Sequence, residues 1–474
     1  MFVCGYRTQI PKAQRSETTP VAIQSKPRPP LPGGPYLVVG LARSGQAAAR
    51  LLAERGEPVI GVDSGSPKGA EELAGTGTEV VLETDGLAQL DGTACVVKSP
   101  GVPREAAVIE AAVERGVQVI GELELAWRLL PNPFVAVTGT NGKTTVTEVL
   151  GAIWRAADRS VSVAGNVGTP LASLVGKADE AATVVCECSS FQLEDSEAFA
   201  PECAVLLNVT PDHLDRHGTI GRYTEAKLRV FGNQAPGDVA VVNADEPALR
   251  GRELGGQARR VEICRAPGCD VGLDGGTVVA GGRSLIDVGE LRLLGAHNVA
   301  NAMAAAGAAL AMGIEREAVA EGLRAFEGVP HRLERVAEID GVLYVNDSKA
   351  TNVAAAAAAI EAFSGGVHAI LGGSSKGESF GALAAPVAER CAGCYLIGET
   401  ADDLERDLAD AWASGVERER CEDLAAAVRA AAGAAKAGDV VLLAPACASF
   451  DAFRDFEERG ERFKTLVEGV AAQA

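Results

Sequence analysis

The feature that most constrains this chain is a regular alternation, from Tyr36 onward, of short apolar runs rich in valine and isoleucine with longer stretches rich in alanine and leucine. Short apolar runs of this kind form strands buried on both faces, and the intervening stretches suit crossover helices. The pattern predicts an α/β fold with mainly parallel sheets. Twelve runs are candidate strands: YLVVG, PVIGVD, ACVVKS, FVAVTG, SVSVAGN, ATVVCEC, CAVLLNV, DVAVVNA, VLYVND, VHAILGG, CYLIGE and VVLLAP.

Length and strand number together indicate several domains. The chain has 474 residues, about three times a usual domain length, and twelve strands exceed the roughly five or six of an average sheet. The style of the motifs changes near Pro131–Pro133 and again near Gly328–Arg332. We therefore predict domains over residues 35–127, 128–329 and 330–474. Residues 1–34 are rich in proline and carry five Lys or Arg against one acid, which predicts a disordered tail.

Composition excludes several classes of function. No uncharged apolar run approaches the ~18 residues of a bilayer span, so we predict no membrane insertion. A formal charge of −20 repels phosphodiester backbones, and no basic patch offsets it, so we predict no nucleic-acid partner. The eleven cysteines are scattered and follow no apolar leader, which favours reduced thiols in the cytoplasm. The pair Cys391 and Cys394 has a redox or zinc spacing without a second ligand pair, which favours core packing.

The segment FVAVTGTNGKTTVTEVL has the pattern of a phosphate-binding loop between a buried strand and a helix. Glycines let backbone N–H groups approach phosphate oxygens, Lys143 reaches the β and γ phosphates, and Thr144 supplies a ligand for Mg²⁺. Val137 stands where the strict pattern has glycine, so the loop is a shortened variant. A carboxylate at the end of a neighbouring strand completes such a magnesium site, and Glu187 in VVCECSSFQLE occupies that position.

A second cluster of polar residues follows the strand in LLNVTPDHLDRH. His213 and Asp215 come just after this buried run, at the carboxyl edge where open α/β sheets bind ligands. A single histidine is more often a satisfied core or surface residue. Because the chain has only five histidines, and this one lies in motif-like surroundings, we predict a functional role for His213.

These motifs resemble the Mur ligase family. TGTNGKTT, SSFQLE, NVTPDHLDRH, YTEAKLRVF, GAHNVANAMAA, PHRLE, NDSKATN and APACAS follow one another in the family's order, over roughly residues 36–470. The resemblance implies a central ATPase domain between an N-terminal Rossmann-like UDP-binding domain and a C-terminal Rossmann-like domain. It also implies a monomeric, cytoplasmic ligase that activates a carboxylate as an acyl phosphate. The C-terminal motifs NDSKATN, GGSSKGESF and APACASFDAF are most similar to the branch that adds D-glutamate to UDP-N-acetylmuramoyl-L-alanine.

The resemblance assigns residues to ATP, to Mg²⁺ and to catalysis. Those implied for ATP are Gly139, Thr140, Asn141, Gly142, Lys143, Thr144, Thr145, Asn298, Asn301, Arg332 and Asp347. Within this set the two asparagines, spaced i, i+3 on a helix, contact the adenine side, Arg332 reaches phosphate and Asp347 the ribose. The implied magnesium ligands are Thr144, Glu187, His213 and Lys227, and the implied catalytic residues are Lys143, His213 and Lys227.

Two further sets are implied for the substrates. The residues for the UDP substrate are Gly40, Arg43, Ser44, Gly45, Asp63, Ser64, Ser99, Pro100, Gly101, Asn166, Ser189 and Gln192. Those for D-glutamate are Lys349, Thr351, Lys376, Ser449, Phe450 and Phe456. Many relatives carry Asp-Thr-Arg after the second strand, where this chain has Asp63, Ser64 and Gly65, so a different clamp on the uracil is expected.

Lys227 has an unusual implied role. An ammonium group does not ligate Mg²⁺, but in the family this lysine is carbamylated by CO₂, which converts it into an anionic oxygen ligand. The reaction needs the neutral amine, which is scarce at an ordinary lysine pKa of about 10.4. Residue type and spacing alone favour a plain helix-surface lysine in TEAKLR, and only the match of the whole segment YTEAKLRVF favours the modified residue.

Two other functional classes compete with the ligase. YLVVGLARSG followed by PVIGVD resembles the fingerprint of an NAD-dependent dehydrogenase, with Gly40, Gly45 and Asp63. In that fingerprint the middle glycine lets the backbone approach a pyrophosphate. Ala42 stands at this position here, which weakens the interpretation as a dehydrogenase. A regulatory P-loop GTPase would lack a domain that binds a second substrate. In this chain about 140 residues follow His331, which is enough for such a domain. Strict dependence of phosphate release on a nucleotide sugar and an amino acid separates these classes.

Overall fold

The computed structural model describes residues 25–375, 377 and 379–472. In that part of the chain the strands form three sheets, which follow one another along the sequence with five, nine and six strands. Nearly all pairings are parallel, as the alternating pattern predicts. The antiparallel pairs are confined to one hairpin meander in the second sheet and to the first pair of the third.

The first sheet is fully parallel, with the strand order β3-β2-β1-β4-β5. Its strands are β1 Tyr36–Val39, β2 Val59–Val62, β3 Glu79–Val81, β4 Cys95–Lys98 and β5 Gln118–Gly121, and the accompanying helices are α1 Arg43–Glu54, α2 Ala107–Glu114 and α3 Glu122–Leu129. The order reverses between β1 and β4, which leaves a crevice at their carboxyl ends.

The second sheet has the order β14-β13-β12-β11-β10-β9-β6-β8-β7. Its strands are β6 Phe134–Thr138, β7 Val161–Gly165, β8 Thr183–Glu187, β9 Cys203–Leu206, β10 Val239–Asn243, β11 Arg259–Cys264, β12 Val271–Asp274, β13 Thr277–Ala280 and β14 Arg283–Asp287. The helices are α4 Lys143–Ala156, α5 Ser190–Glu194, α6 Leu214–His217, α7 Ile220–Gly232, α8 Ala296–Ala311 and α9 Arg316–Ala325. The central strand β6 lies between β8 and β9, so the loops after these three strands share one edge of the sheet.

The third sheet has the order β15-β16-β20-β17-β18-β19. Its strands are β15 Glu334–Ile339, β16 Val342–Asn346, β17 Val367–Gly372, β18 Cys391–Ile397, β19 Glu417–Arg420 and β20 Val440–Leu443. The helices are α10 Val353–Glu361, α11 Ala384–Arg390, α12 Ala401–Asp407, α13 Ala409–Ala413, α14 Leu424–Ala434 and α15 Phe456–Ala471. Strand β20 lies between β16 and β17, which brings the loops after β16 and β20 together.

The first and second sheets share one hydrophobic core. A continuous cluster of buried side chains runs from Tyr36 in β1 through Leu123 and Trp127 in α3 to Phe134 in β6. The Trp127 ring packs edge-on against Phe199, with centroids 5.6 Å apart. The third sheet has separate cores on its two faces. Packing therefore couples the first two domains more closely than it couples either to the third.

The end of the predicted disordered tail is ordered. Residues 1–24 lie outside the described residues, but residues 25–34 pack along the first two domains. The Arg28 guanidinium donates to Glu202 Oε1 at 3.0 Å and to the Asn132 carbonyl at 2.8 Å, and lies 4.5 Å from the Trp127 ring centroid. Lys26 pairs with Asp238. The prediction of disorder up to residue 34 is therefore wrong for this stretch, because two of its basic residues neutralise carboxylates that the folded domain buries.

We expect Arg28→Ala to lower the free energy of unfolding by about 3 kcal/mol, because the carboxylate of Glu202 is fully buried and would lose its cation. Urea denaturation of the variant and the wild type measures this difference. Arg115→Ala is the matched control, since Arg115 and Asp91 form an exposed ion pair whose loss costs at most about 1 kcal/mol. Equal effects of the two substitutions would contradict the prediction.

One pair of cysteines departs from the prediction that the thiols are reduced. Cys264, at the end of β11, forms a disulfide with Cys269, and their Cα atoms are 5.9 Å apart. The turn between the two residues brings them together, which their spacing alone does not indicate. Cys391 and Cys394 lie in β18 as free thiols. No helix in the described part of the chain is long and apolar enough to cross a bilayer.

Candidate active site

The phosphate loop joins β6 to α4 and has the conformation that its glycines predict. Gly139 and Gly142 have φ angles of +154° and +86°. A Cβ atom on Gly142 would lie 2.4 Å from Asn301 Oδ1, so the loop also needs glycine for space. The Lys143 ammonium folds back onto the carbonyls of Gly139 and Thr140 at 2.9 and 2.8 Å. Burial lowers the pKa of Lys143, as expected for a cation in a site built for anionic phosphate.

Glu187 lies at the centre of a polar group beside this loop. Thr144 Oγ1 donates to Glu187 Oε2 at 2.7 Å, and Asn166 Nδ2 donates to Glu187 Oε1 at 3.0 Å. Arg332, from the start of the third domain, donates to Thr144 Oγ1 at 3.2 Å. The sequence prediction assigned Thr144 and Glu187 to Mg²⁺, Arg332 to ATP and Asn166 to the UDP substrate, and in the structure the four side chains lie next to one another. Their convergence follows from topology, because β6 and β8 are parallel neighbours and end at the same edge.

The donor set around Glu187 fits part of a magnesium site. A carboxylate and a hydroxyl 2.7 Å apart are hard oxygen ligands of the kind Mg²⁺ prefers. Within the described residues, no group of three or more His, Cys, Asp or Glu side chains is placed to hold a metal ion. Protein ligands are therefore few, as is usual for Mg²⁺ bound together with nucleotide phosphates and water.

Lys227, on α7, is fully buried against the phosphate loop. Its Nζ donates to the Gly139 carbonyl at 2.7 Å and lies 4.3 Å from the centroid of the Tyr223 ring. The same carbonyl accepts from Lys143. Burial, and then the charge of Lys143, lower the pKa of Lys227 to about 6. The amine is therefore mainly neutral at pH 7. Because the side chain is buried, Lys227 is not the plain helix-surface lysine that residue type and spacing alone favoured.

His213 lies at the start of α6, beside the aromatic residues Phe191 and Tyr223. It precedes α6 with a φ of +52°, and its side chain is half exposed. Its ring lies 5.0 Å from Phe191 and 6.4 Å from Tyr223, so His213 and Lys227 flank the same tyrosine. Sequence reasoning missed the buried His217, which bonds Ser190 Oγ at 3.0 Å and holds α6 against α5. Nothing but its position four residues after His213 distinguishes it in the sequence.

A cavity of about 320 Å³ lies between the second and third domains, beside the phosphate loop. The predicted ATP residues that line it are Asn141, Gly142, Thr145, Asn298, Asn301, Arg332 and Asp347. Asn301 Nδ2 donates to Asn298 Oδ1 at 2.9 Å, so the two α8 asparagines form one amide surface. Burial raises the pKa of Asp347 to about 7, and Arg332 opposes this shift. Arg265 and His297 also line the cavity, although no sequence motif singled them out for ATP.

A second cavity, of about 630 Å³, opens at the switch point of the first sheet. The predicted UDP-substrate residues that line it are Gly40, Arg43, Ser44, Asp63, Ser64, Ser99, Pro100, Gly101, Asn166 and Gln192. Two predicted residues have other positions. Gly45 packs against β1, since a Cβ atom there would lie 1.8 Å from the Gly40 carbonyl. Ser189 caps α5, accepting from the backbone N–H of Gln192.

The polar side chains of this cavity differ in whether their hydrogen-bonding atoms are already engaged by the protein. Asp63 is engaged by two backbone groups, because its carboxylate accepts from the N–H of Leu41, in the loop after β1, at 2.6 Å and from the N–H of Gly65, in its own loop, at 2.8 Å. Gln192 is buried, and its Oε1 accepts from the Ser189 N–H at 3.0 Å. Among the residues that the structure describes, none is a hydrogen-bond partner of its Nε2. Since an unmade hydrogen bond is costly in the interior, this donor indicates a polar ligand group in the cavity.

Four of the predicted D-glutamate residues, Lys349, Thr351, Ser449 and Phe450, lie on the loops after β16 and β20, and Phe456 begins α15. Lys349 Nζ lies 3.5 Å from the centroid of the Phe456 ring and also lines the cavity between the second and third domains. Ser449 is buried, whereas Phe450 is 75% exposed. Thr351 is half-buried before α10. Lys376 lies outside the described residues.

Family models match all three parts of the chain. They are described as "Mur ligase MurD-like, N-terminal domain" over residues 35–121, "Mur ligase middle domain" over residues 137–309, and "Mur ligase, glutamate ligase domain" over residues 331–447. The chain belongs to the Mur ligase family. Mur ligases are ATP-dependent ligases, so this membership, rather than an NAD fingerprint or a GTPase switch, explains the phosphate loop and the third domain.

Relatives match this Mur ligase over most of its length. The chain is 44% identical to the UDP-N-acetylmuramoylalanine–D-glutamate ligase of Pelotomaculum thermopropionicum, over 91% of this chain and 96% of that protein. It is 42% identical to the protein of the same name from Acidobacterium capsulatum, over 92% and 96%. The MurF ligase of Thermotoga maritima, solved in complex with ADP, has a TM-score of 0.58 at 21% identity, over 87% of this chain and 96% of the other, and shows the shared fold.

Proposed function

We propose that this Mur ligase joins D-glutamate to UDP-N-acetylmuramoyl-L-alanine, as a monomer, in the cytoplasmic synthesis of peptidoglycan precursors. The names of full-length relatives more than 40% identical support the substrates. One observation carries the chemistry: the Glu187 group touches both cavities. Asn166 lines the cavity of the first sheet and Arg332 the cavity between domains, and each is one hydrogen bond from Glu187 or Thr144. Two bound substrates would therefore meet at this carboxylate.

The first step is activation of the carboxylate of the UDP substrate. A carboxylate is a poor acyl donor because its leaving group would be oxide, so the γ-phosphoryl group of ATP is transferred to one of its oxygens, giving an acyl phosphate and ADP. Lys143 would leave the carbonyls of Gly139 and Thr140 to stabilise the charge on the transferred group. Magnesium, when bound by Thr144 and Glu187, supplies further positive charge to the phosphate oxygens.

The second step forms the amide bond. The neutral amine of D-glutamate attacks the acyl carbon and loses a proton to solvent, the tetrahedral oxyanion re-forms the carbonyl, and inorganic phosphate leaves with the activated oxygen. We assign to His213, which is half exposed and lies beside Tyr223, the donation of a hydrogen bond to the oxyanion. The residues proposed for the incoming amino acid are Lys349, Thr351, Lys376, Ser449, Phe450 and Phe456.

We further propose that Lys227 is carbamylated. Its neutral amine would attack CO₂ and lose a proton, which replaces the Nζ–H with an anionic oxygen pair next to the phosphate loop. The low pKa of Lys227 supports this chemistry, because the reactive form is abundant at neutral pH. Carbamylation would also replace one of the two amino groups that donate to the Gly139 carbonyl with an anionic group.

The third domain supplies the amino-acid site and part of the ATP cavity, so its orientation matters for the reaction. The connection contains three positive φ angles, +112° at Gly328, +62° at His331 and +44° at Leu333. We propose that rotation at this segment brings Lys349 towards the acyl phosphate and excludes water, which would otherwise hydrolyse it.

The test is phosphate release from ATP by the full chain, supplied with UDP-N-acetylmuramoyl-L-alanine and one amino acid at a time. We expect turnover with D-glutamate, and at least about 100-fold less with L-glutamate, lysine or diaminopimelate, because a site built for two carboxylates and one chirality leaves buried groups unpaired with the others.

Two controls accompany this assay. Omission of either substrate should reduce phosphate release to background, which distinguishes a ligase from an ATPase or a switch. Borohydride reduction of a reaction without amino acid should trap the acyl phosphate as the alcohol. Turnover with L-glutamate or diaminopimelate equal to that with D-glutamate would overturn the substrate assignment, and failure to trap the alcohol would count against the intermediate.

A further inference from the structure

Arg459, on α15, is a buried cation that lies outside the residue sets described above. It is 1% exposed, and its guanidinium makes four hydrogen bonds to neutral oxygens. Nε donates to Ser348 Oγ at 3.0 Å, and Nη2 donates to the carbonyls of Ser348 at 2.9 Å and Cys447 at 3.0 Å. Nη1 donates to the carbonyl of Ala448 at 3.1 Å.

The four acceptors belong to two loops that lie next to each other because β16 and β20 are parallel neighbours. One loop carries Ser348 followed directly by Lys349. The other carries Cys447 and Ala448, followed directly by Ser449. Every acceptor is thus within two residues of a proposed D-glutamate ligand, and the planar guanidinium fixes the distance between the two loops.

The same network fixes a third part of the pocket. Ser348 Oγ accepts from Arg459 and donates to the Phe456 carbonyl at 2.8 Å. Phe456 begins α15, and its ring lies 3.5 Å from Lys349 Nζ. One buried residue therefore connects the Lys349 loop, the Ser449 loop and the helix start that supports the lysine.

We propose that Arg459 is a positioning residue for the amino-acid substrate, which sets the spacing of Lys349, Ser449 and Phe456 without touching the substrate itself. This inference rests on the proposed function, since it takes these three residues as the D-glutamate pocket. Only arginine presents several donors in a rigid plane, and lysine, with a compact ammonium, would reach some of the four oxygens but not hold both loops.

A purely structural anchor makes a different prediction. Loss of an anchor lowers the folded fraction and the rate with every substrate, and leaves the KM values of the folded enzyme unchanged. Loss of a positioning residue changes the geometry of one pocket, and displacement of a binding group by about 1 Å weakens only the substrate it serves.

The experiment compares Arg459→Met and Arg459→Lys with Arg462→Met, a matched control at an exposed arginine on the same helix. Phosphate release is measured while each substrate is varied in turn. We expect Arg459→Met to raise the KM for D-glutamate at least about tenfold, with the KM for ATP and for the UDP substrate within about twofold of wild type. Arg459→Lys should recover only part of the loss, and Arg462→Met should behave as wild type.

Ser348→Ala decides the matter if the Arg459 variants do not fold, because it removes only the hydroxyl that bridges Arg459 and Phe456. A selective rise in its KM for D-glutamate supports the proposal. Unchanged KM values in a folded Arg459→Met or Ser348→Ala variant, or an equal change for all three substrates, overturn it. Failure of the proposed function is recognised separately, since the wild-type enzyme would then release phosphate without dependence on D-glutamate.

Discussion

Lys143→Ala is expected to abolish ATP turnover, with a fall in kcat of at least about 1,000-fold. The Lys143 ammonium lies against the phosphate loop backbone, and charge on a transferred phosphoryl group is stabilised mainly by such fixed groups. Phosphate release in the presence of both substrates measures the loss. The matched control is Lys177→Ala, at an exposed lysine of the same domain, which should retain full activity.

This loss should not come from unfolding. Burial lowers the pKa of Lys143, so the folded chain disfavours the charged form that the unfolded chain carries at neutral pH. That penalty is present below the ordinary lysine pKa and is removed by the substitution. We therefore expect a Tm equal to or above that of the wild type. Retained turnover, or a large fall in Tm, would contradict the assigned role.

Lys227→Ala is expected to lose activity and to regain part of it when formate or acetate is added. The substitution leaves a space beside the Gly139 carbonyl, where a small carboxylate would replace the carbamate oxygens. Turnover at increasing formate concentration measures the rescue. Lys436→Ala, at an exposed lysine of the third domain, should neither lose activity nor respond to formate. Full activity of Lys227→Ala without additive would refute the carbamate.

Carbamylation of Lys227 should also make the recovery of activity by CO₂ depend on pH. Because the pKa of Lys227 is about 6, protonation below that pH removes the neutral amine that reacts with CO₂. Enzyme depleted of CO₂ should therefore recover activity on addition of bicarbonate at pH 7.5 but not at pH 5. Equal recovery at both pH values would show that a carbamate at this position is not required.

The sequence predicts the interior of this fold better than its edges. All twelve apolar runs are strands, because strands covered on both faces need continuous apolar sequence. One missed strand, Arg259–Cys264, lies inside its sheet but carries three charged residues, which interrupt the apolar pattern. The others are short or lie at edges and in hairpins, where one face or the whole strand is exposed, as in Glu417–Arg420. There the choice of strand is made by pairing with a neighbour, which no local pattern encodes.

The sequence likewise predicted some residues of the candidate site well and others not. Lys143, Thr144 and Glu187 were predictable because loop geometry and parallel topology place them together. Asp63 was predicted to contact the UDP substrate, and it lines the cavity of the first sheet, but its carboxylate also accepts from the backbone N–H groups of Leu41 and Gly65, which the sequence did not indicate. Arg459 was not predictable, because an arginine on an amphipathic helix has no sequence mark that distinguishes a buried clamp from a solvated charge.

The continuous core beneath α3 has a practical consequence for compounds aimed at this enzyme. Since Tyr36, Trp127 and Phe134 belong to one packed unit, the distance from the crevice of the first sheet to Glu187 is set by side-chain packing and not by a hinge. A rigid bivalent molecule spanning that distance would face the same receptor whether the third domain is open or shut. One that also reached Lys349 would have to select a single orientation of that domain and would lose affinity for every other.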